Sequence, residues 1–246
     1  MYSKQFVFII GIDAKKFQVH SSAIAQLSRP LHALINCGMK ESVELYTVWE
    51  DVDEETFVAF AEFMYTGDYP DPEPDKLSFE DYSEKKVKSD HEFGRPKLPE
   101  LSQLPMPPAA LLNKFQSNKE YSVPGKPDPP PTVNDPWYQD FTPVFLIHAK
   151  VFELADRYDV QPLTRLSLNK LQRALSSFTL SKGGSNVIWN FLRHCYETPR
   201  PQRLRDLAAF YGAANIQHLW RDEEIRLLTK DCPELAADML EFLMKV

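Results

Sequence analysis

Fifteen of the twenty prolines in this 246-residue chain lie between Pro70 and Pro143. Proline fixes φ and removes a backbone donor, so no long helix or central strand is expected to run through that stretch. It contains DPEPDK, PMPP and PDPPP. Longer than any ordinary loop, it reads as an insertion that is either disordered or functional, with a short helical turn over Ala109 to Phe115. A folded core must therefore come mainly from the residues on either side.

Before the prolines, Lys4 to Ile12 is rich in Phe, Val and Ile and reads as a buried strand. Gly11 to Lys16 supplies turn residues, and Phe17 to His20 completes a hairpin. Ser21 or Ser22 is placed to cap a helix whose inner face carries Ile24 and Leu27. Pro30 breaks that helix or opens the next one, where Leu31, Leu34 and Ile35 share a face. Gly38 reads as its stop. Val43 to Trp49 has the β-branched and aromatic content of a third strand. Asp51 and Asp53 are candidate caps for a long helix, with Phe57, Phe60, Ala61 and Met64 at core spacing and Gly67 closing it.

After Pro143 the 3.6-residue period returns. Val144, Ile147, Val151, Leu154, Ala155 and Tyr158 form one stripe. Pro162 opens a second helix with Leu163, Leu166, Leu171 and Leu175 inside. Ser176 to Ser185 reads as a linker. Three further helices follow: one marked by Ile188, Phe191, Leu192 and Cys195; one by Leu204, Leu207, Ala208 and Tyr211, ending near Gly212; and a short one that includes Ile225, Leu227 and Leu228. Pro233 opens the last helix, with Leu235, Met239, Leu240 and Leu243.

The charge of the chain excludes some function classes. The net value is −7, and lysine plus arginine exceeds aspartate plus glutamate only slightly, 14 to 12, over 144–246. A phosphate-dominated nucleic-acid surface needs a strong basic patch, so no DNA or RNA partner is expected. Apolar runs fall far short of the ~20 residues of a membrane span, and no signal peptide is apparent. Cys37, Cys195 and Cys232 are distant and odd in number, which suits a reduced intracellular compartment, cytoplasmic or nuclear.

No catalytic, cofactor-binding or metal-binding constellation is visible. His20 at a strand end could be a base or ligand, or a histidine that orders the turn. His194 and Cys195 are adjacent on one helix and cannot pair as base and nucleophile. His148 and His218 have no Cys or His at ligand spacing. Lys182-Gly183-Gly184-Ser185 lacks the pattern of a phosphate loop. Glu84 to Lys88 reads either as an import patch or as a solvated charge run, and the proline runs as polyproline-II ligands or as spacers. Tyr211 and Trp220 either line a groove or pack in a core.

The residues FQVHSSAIAQLSRPLHALI, then MKES, then WEDVDEETFVAFAEFMYTGDY resemble a BTB/POZ domain of the kind found in filamentous fungi. FLIHAKVFELADRYDVQPLTRLSLNKLQRAL is similar to the last two helices of that fold, and LRDLAAFYGAANIQHLW onward to its fungal helical extension. The combination of His20-Ser21-Ser22, Lys40-Glu41-Ser42 and Tyr65 to Tyr69 carries the likeness. The resemblance implies an α+β fold, a small three-stranded sheet with helical hairpins. It would occupy 1–69 and 144–176, interrupted by an insertion at 70–143 and followed by an all-α extension at 177–246.

That resemblance further implies a non-enzymatic protein–protein interaction module. Some members are substrate adaptors for cullin-based ubiquitin ligases, touching the cullin through an apolar-x-Glu motif that Met39-Lys40-Glu41 matches. Met39 and Glu41 are then partner contacts; the other reading puts Met39 in the core and Glu41 in solvent. Many members form homodimers, the swapped form using an N-terminal helix and strand that this sequence lacks ahead of its first strand. A scaffold, oligomerisation or transcription-linked role without a cullin is the alternative.

Overall fold

The computed structural model describes residues 4–38, 40–76, 107–120, 122, 139–180 and 185–244. These divide into two units. The first comprises residues up to Asp71 with Ile147–Leu168; the second comprises Pro72–Leu146 with Asn169 onward.

In the first unit, alternation in β1 (Gln5–Ile10) sends Phe6, Phe8 and Ile10 to one face, where all three are buried. β2 (Lys15–His20) pairs with it antiparallel, Phe6 opposite Val19 and Phe8 opposite Phe17. β3 (Tyr46–Trp49) runs parallel to β1, with Thr47 opposite Phe8 and Trp49 opposite Ile10. The mixed sheet has the order β2-β1-β3. A parallel neighbour requires a crossover. It is made by α1 (Ser21–Ala25), α2 (Arg29–Asn36) and α3 (Lys40–Glu44).

The inner face of the sheet is aromatic. Phe57 of α4 (Glu54–Thr66) lies 5.1 Å from Phe8 and 4.9 Å from Phe17, centroid to centroid. Trp49 stacks on Tyr158 at 4.5 Å and 19°. Helix α4 starts where Asp53 Oδ1 accepts from the Thr56 N–H (2.8 Å) and stops at Gly67, φ +75°. Asp51, the other candidate cap, instead pairs with Arg157 at 2.5 Å. The buried face of α4 holds Thr56, Phe57, Ala59, Phe60 and Phe63, so the stripe is rotated from the expected one; Ala61 and Met64 are only half-buried. The three phenylalanines, the bulkiest apolar groups of the helix, take the inner positions.

Two local expectations need correction. Helix α1 begins at Ser21 itself, with His20 rather than a serine at the N-cap. The backbone N–H groups there go elsewhere: His20 N–H donates to Tyr65 Oη (3.1 Å) and Ser21 N–H to the Lys4 carbonyl (2.9 Å). The third strand begins at Tyr46, not Val43, because residues 40–44 form a helical turn. Pro30 sits in the first turn of α2, as its missing donor allows, with the Ser28 hydroxyl accepting from Leu31 N–H.

The first unit also takes in Ile147 to Arg157 of α6 (Thr142–Arg157) and Gln161 to Leu168 of α7 (Gln161–Ser177). Ile147, Val151, Leu154 and Ala155 are buried as the stripe predicts, and so are Phe152 and Ala149.

The second unit is helical. It contains a two-residue ladder between β4 (Asp75–Lys76) and β5 (Gln139–Asp140), α5 (Pro108–Ser117), α8 (Ser185–Tyr196), α9 (Gln202–Ala214), α10 (Ile216–Leu219), α11 (Glu223–Asp231) and α12 (Pro233–Met244). Phe145 contacts Phe178 and Phe191, and Phe210 stacks on Phe242 at 4.9 Å and 3°.

Within the proline-rich region, α5 is a ten-residue helix rather than one turn, with Leu111 and Phe115 buried. The helical turn expected over Ala109 to Phe115 lies within it. Helix α9 runs through Gly212 to Ala214; the glycine serves packing, since a Cβ there would sit 3.2 Å from Met239 Sδ. Leu227 and Leu240 are exposed, because the buried arcs of their helices are filled by Ile225 and Leu228 and by Leu235, Met239 and Leu243. No helix among the described residues is long and apolar enough to cross a membrane.

Candidate partner interface

Of the three residues singled out for partner contact, Lys40 and Glu41 open α3, and Met39 lies outside the described residues. Lys40 is exposed and Glu41 half-buried. The helix is a single turn set between two left-handed residues, Gly38 at φ +77° and Leu45 at φ +59°. Glycine adopts that conformation freely, but a leucine pays roughly 1–2 kcal/mol for it. What holds Leu45 there is its carbonyl, which accepts from Val7 N–H at 2.9 Å and so anchors the start of β3 to β1.

The result is a short turn presented on the first unit. Val43 is 71% exposed, although its β-branched side chain suits a strand. Lys40 and Glu44 are exposed beside it, and Cys37 is exposed at the end of α2. An exposed apolar group with a cation and carboxylates near it in sequence can seat in a partner's groove and fix its orientation through charge. The sequence places Val43 in the third strand; the signal against that is Gly38 followed by seven residues before the aromatic strand.

The histidines sit elsewhere. His20 is exposed and its Nδ1 lies 3.0 Å from Tyr65 Oη, with the rings edge to face, so it ties the end of β2 to α4. His148 is buried: Nδ1 is 3.0 Å from Tyr69 Oη, and Nε2 is 3.9 Å from Asp71 Oδ1. Burial, reinforced by the carboxylates of Asp71 and Asp68, pushes the Tyr69 phenol well above its ordinary value. A phenol held protonated is a hydrogen-bond donor and not a nucleophile, so the group fixes the chain after α4. The pairing joins residues 79 apart in sequence, and only the lone histidine within an apolar stripe hinted at it.

Cys195 is buried and His194 half-buried on α8. Tyr211 packs edge-on against Phe115 at 5.4 Å, and Trp220 is half-buried. Among the described residues no group of three or more His, Cys, Asp or Glu is arranged to hold a metal ion. Glu84 to Lys88, PDPPP and Lys182 to Gly184 lie outside the described residues, as do the first two residues of PMPP.

Compared with known proteins, the chain matches no family model and no curated protein.

Proposed function

We propose that this chain is a non-enzymatic protein–protein interaction module of the BTB/POZ kind, with the α3 turn as a partner contact. In its specific form it is a substrate adaptor for a cullin-based ubiquitin ligase. The observation that carries the reading is the α3 turn. A one-turn helix is presented between Gly38 and a left-handed Leu45, with Val43 turned to solvent beside Lys40 and Glu44. The mixed β2-β1-β3 sheet with its helical crossover, and α4 closed by Gly67, support the likeness in fold.

The test is a titration of the full chain against the N-terminal region of its host's cullin. Wild-type binding at micromolar affinity or tighter is expected. Loss of at least tenfold is expected in a Met39→Ala, Glu41→Ala double variant and in Val43→Asp. A folded wild-type chain that does not bind removes the adaptor reading and leaves a scaffold or oligomerisation module; binding untouched by the variants removes the role of α3.

A further inference from the structure

Helix α5 is an unusual member of the second unit. Residues 77–107 separate it from β4 and residues 118–138 lie between it and β5, and the β4–β5 ladder pairs the residues at the base of that excursion. Yet α5 is seated on the other helices. Its apolar residues Leu111 and Phe115, at i and i+4, are both buried. Phe115 meets Phe210 of α9 edge-on at 5.1 Å and Tyr211 at 5.4 Å. The receiving surface comes from α9 and α12, which approach closely at Gly212 and Met239.

The decisive feature is Gln172 of α7. This side chain is buried, and its Nε2 donates to two backbone carbonyls at the end of α5, those of Phe115 (2.9 Å) and Asn118 (2.8 Å). The last carbonyls of a helix lack the usual i+4 donor; that of Phe115 also accepts from the Asn118 N–H at 3.3 Å. A buried amide that meets them recognises a helix end whatever its side chains are. A groove for an i, i+4 apolar pair and a donor for the terminal carbonyls together form a receptor for an amphipathic helix.

We propose that the α9–α12 groove is a helix-binding site that α5 occupies in cis, so that the chain carries its own competing ligand. The external occupant it fits is a helix of the same chemistry: a large apolar residue, an aromatic four positions later, and a helix end two to three residues beyond. Tethering gives α5 a high effective concentration, so an external helix binds weakly until α5 is displaced. This site is separate from the α3 turn and does not depend on the role proposed for it.

The experiment uses the full chain and a fluorescein-labelled synthetic peptide with the sequence of residues 107–118, PPAALLNKFQSN. In the variant Phe115→Ala the resident helix loses its anchor. The peptide is expected to bind that variant at least tenfold more tightly than it binds wild type. Adding Gln172→Ala to the variant is expected to weaken peptide binding, and a peptide with alanine in place of its phenylalanine is expected not to bind. A folded Phe115→Ala chain that ignores the peptide overturns the inference, as does equal affinity for variant and wild type. If the variant unfolds, saturating peptide is expected to restore its helical circular dichroism and melting transition. Failure of that rescue makes α5 an integral part of the core and also overturns the inference.

Discussion

The Tyr69 hydroxyl lies 3.0 Å from Nδ1 of His148, and both side chains are buried. Asp71 faces the other ring nitrogen at 3.9 Å. That arrangement suits a ring with Nε2 protonated toward the carboxylate and Nδ1 accepting from the phenol. The pair fastens the chain beyond Gly67 to α6. Tyr69→Phe keeps the ring volume and deletes a buried hydrogen bond, which is expected to cost about 1–2 kcal/mol. Urea unfolding of the two proteins at neutral pH reads the difference; equal midpoints would mean that the bond contributes nothing net.

Alkaline pH should expose a common property of three tyrosines. Burial raises the pKa of Tyr69 and Tyr211, and burial together with the hydrogen bond to Asp238 raises that of Tyr196. In the unfolded chain these phenols ionise near pH 10. Above that pH the folded state binds more protons than the unfolded state, so stability falls as pH rises. It is complete below pH 10 and declines by up to about 1.4 kcal/mol per pH unit for each fully buried phenol. Unfolding midpoints at pH 9, 10 and 11 should drop over the last two, and Tyr211→Phe should flatten that drop.

Asp53 and Asp51 sit two residues apart and do different work. For Asp53, burial pushes the carboxyl pKa up, but the Thr56 N–H and Lys150, 2.9 Å away, outweigh it and leave the value lowered. The Asp51 carboxyl is lowered chiefly by its hydrogen bond from Arg157. Depressed carboxyls contribute stability above the unfolded pKa near 4 and lose it as pH falls through their folded values. Asp53→Ala removes a helix cap and is expected to cost about 1 kcal/mol at pH 7. Asp51→Ala breaks a solvent-screened pair and should cost roughly 0.5 kcal/mol or less. Melting curves at pH 7 and pH 3 should show the Asp53→Ala deficit shrinking in acid.

Two glycines separate conformational from steric cost. At Gly67, φ is +75° and no heavy atom of the described residues lies within 4 Å of an added Cβ. Gly67→Ala therefore costs only backbone strain, about 1–2 kcal/mol. Gly212 has helical φ, so alanine there would gain up to about 1 kcal/mol of helix propensity. Against that gain stand Met239 Sδ and Cε at 3.2 and 3.3 Å. The prediction is that Met239→Ala improves the relative stability of Gly212→Ala and leaves that of Gly67→Ala unchanged, read from double-mutant cycles in urea.

What could be read from the chain was what is local. Phe6, Phe8 and Ile10 alternate, Phe57 and Phe60 repeat at helical spacing, and Gly38 and Gly67 mark stops, so the strands and helices of residues 4–69, apart from α3 and the start of β3, are visible in the sequence. At two places local signals conflict. Val43 looked like a strand residue because β propensity says nothing about the left-handed Leu45 that follows. The length of α5 was hidden because flanking prolines masked the Leu111–Phe115 spacing, although Pro108 at a helix start is favourable. The remaining features are long-range. Gln172 bonds to a carbonyl 57 residues away, and His148 to a phenol 79 residues away. No periodicity encodes such pairs; they exist only once the core has brought the helices together. The candidate interface was half legible, since Lys40 and Glu41 were singled out while the exposed Val43 between them and β3 was not.

Asp238 offers the sharpest test of how the helices of the second unit are joined. Its Oδ2 accepts from Tyr196 Oη at 2.7 Å and from Arg205 Nη2 at 2.9 Å, linking α12 to α8 and α9. The Arg205 guanidinium also lies over the Tyr196 ring at 4.9 Å, and the phenol approaches the Arg205 carbonyl at 3.2 Å. Asp238→Ala removes both charge-assisted bonds and is expected to cost about 2–3 kcal/mol, reduced from the fully buried case by partial solvent access. Tyr196→Phe should cost about 1 kcal/mol alone and much less in the Asp238→Ala background, because most of what the hydroxyl does is donate to that carboxylate. Urea denaturation of the four proteins of the cycle measures the coupling. Simple additivity would show that the three groups are neighbours without being a network.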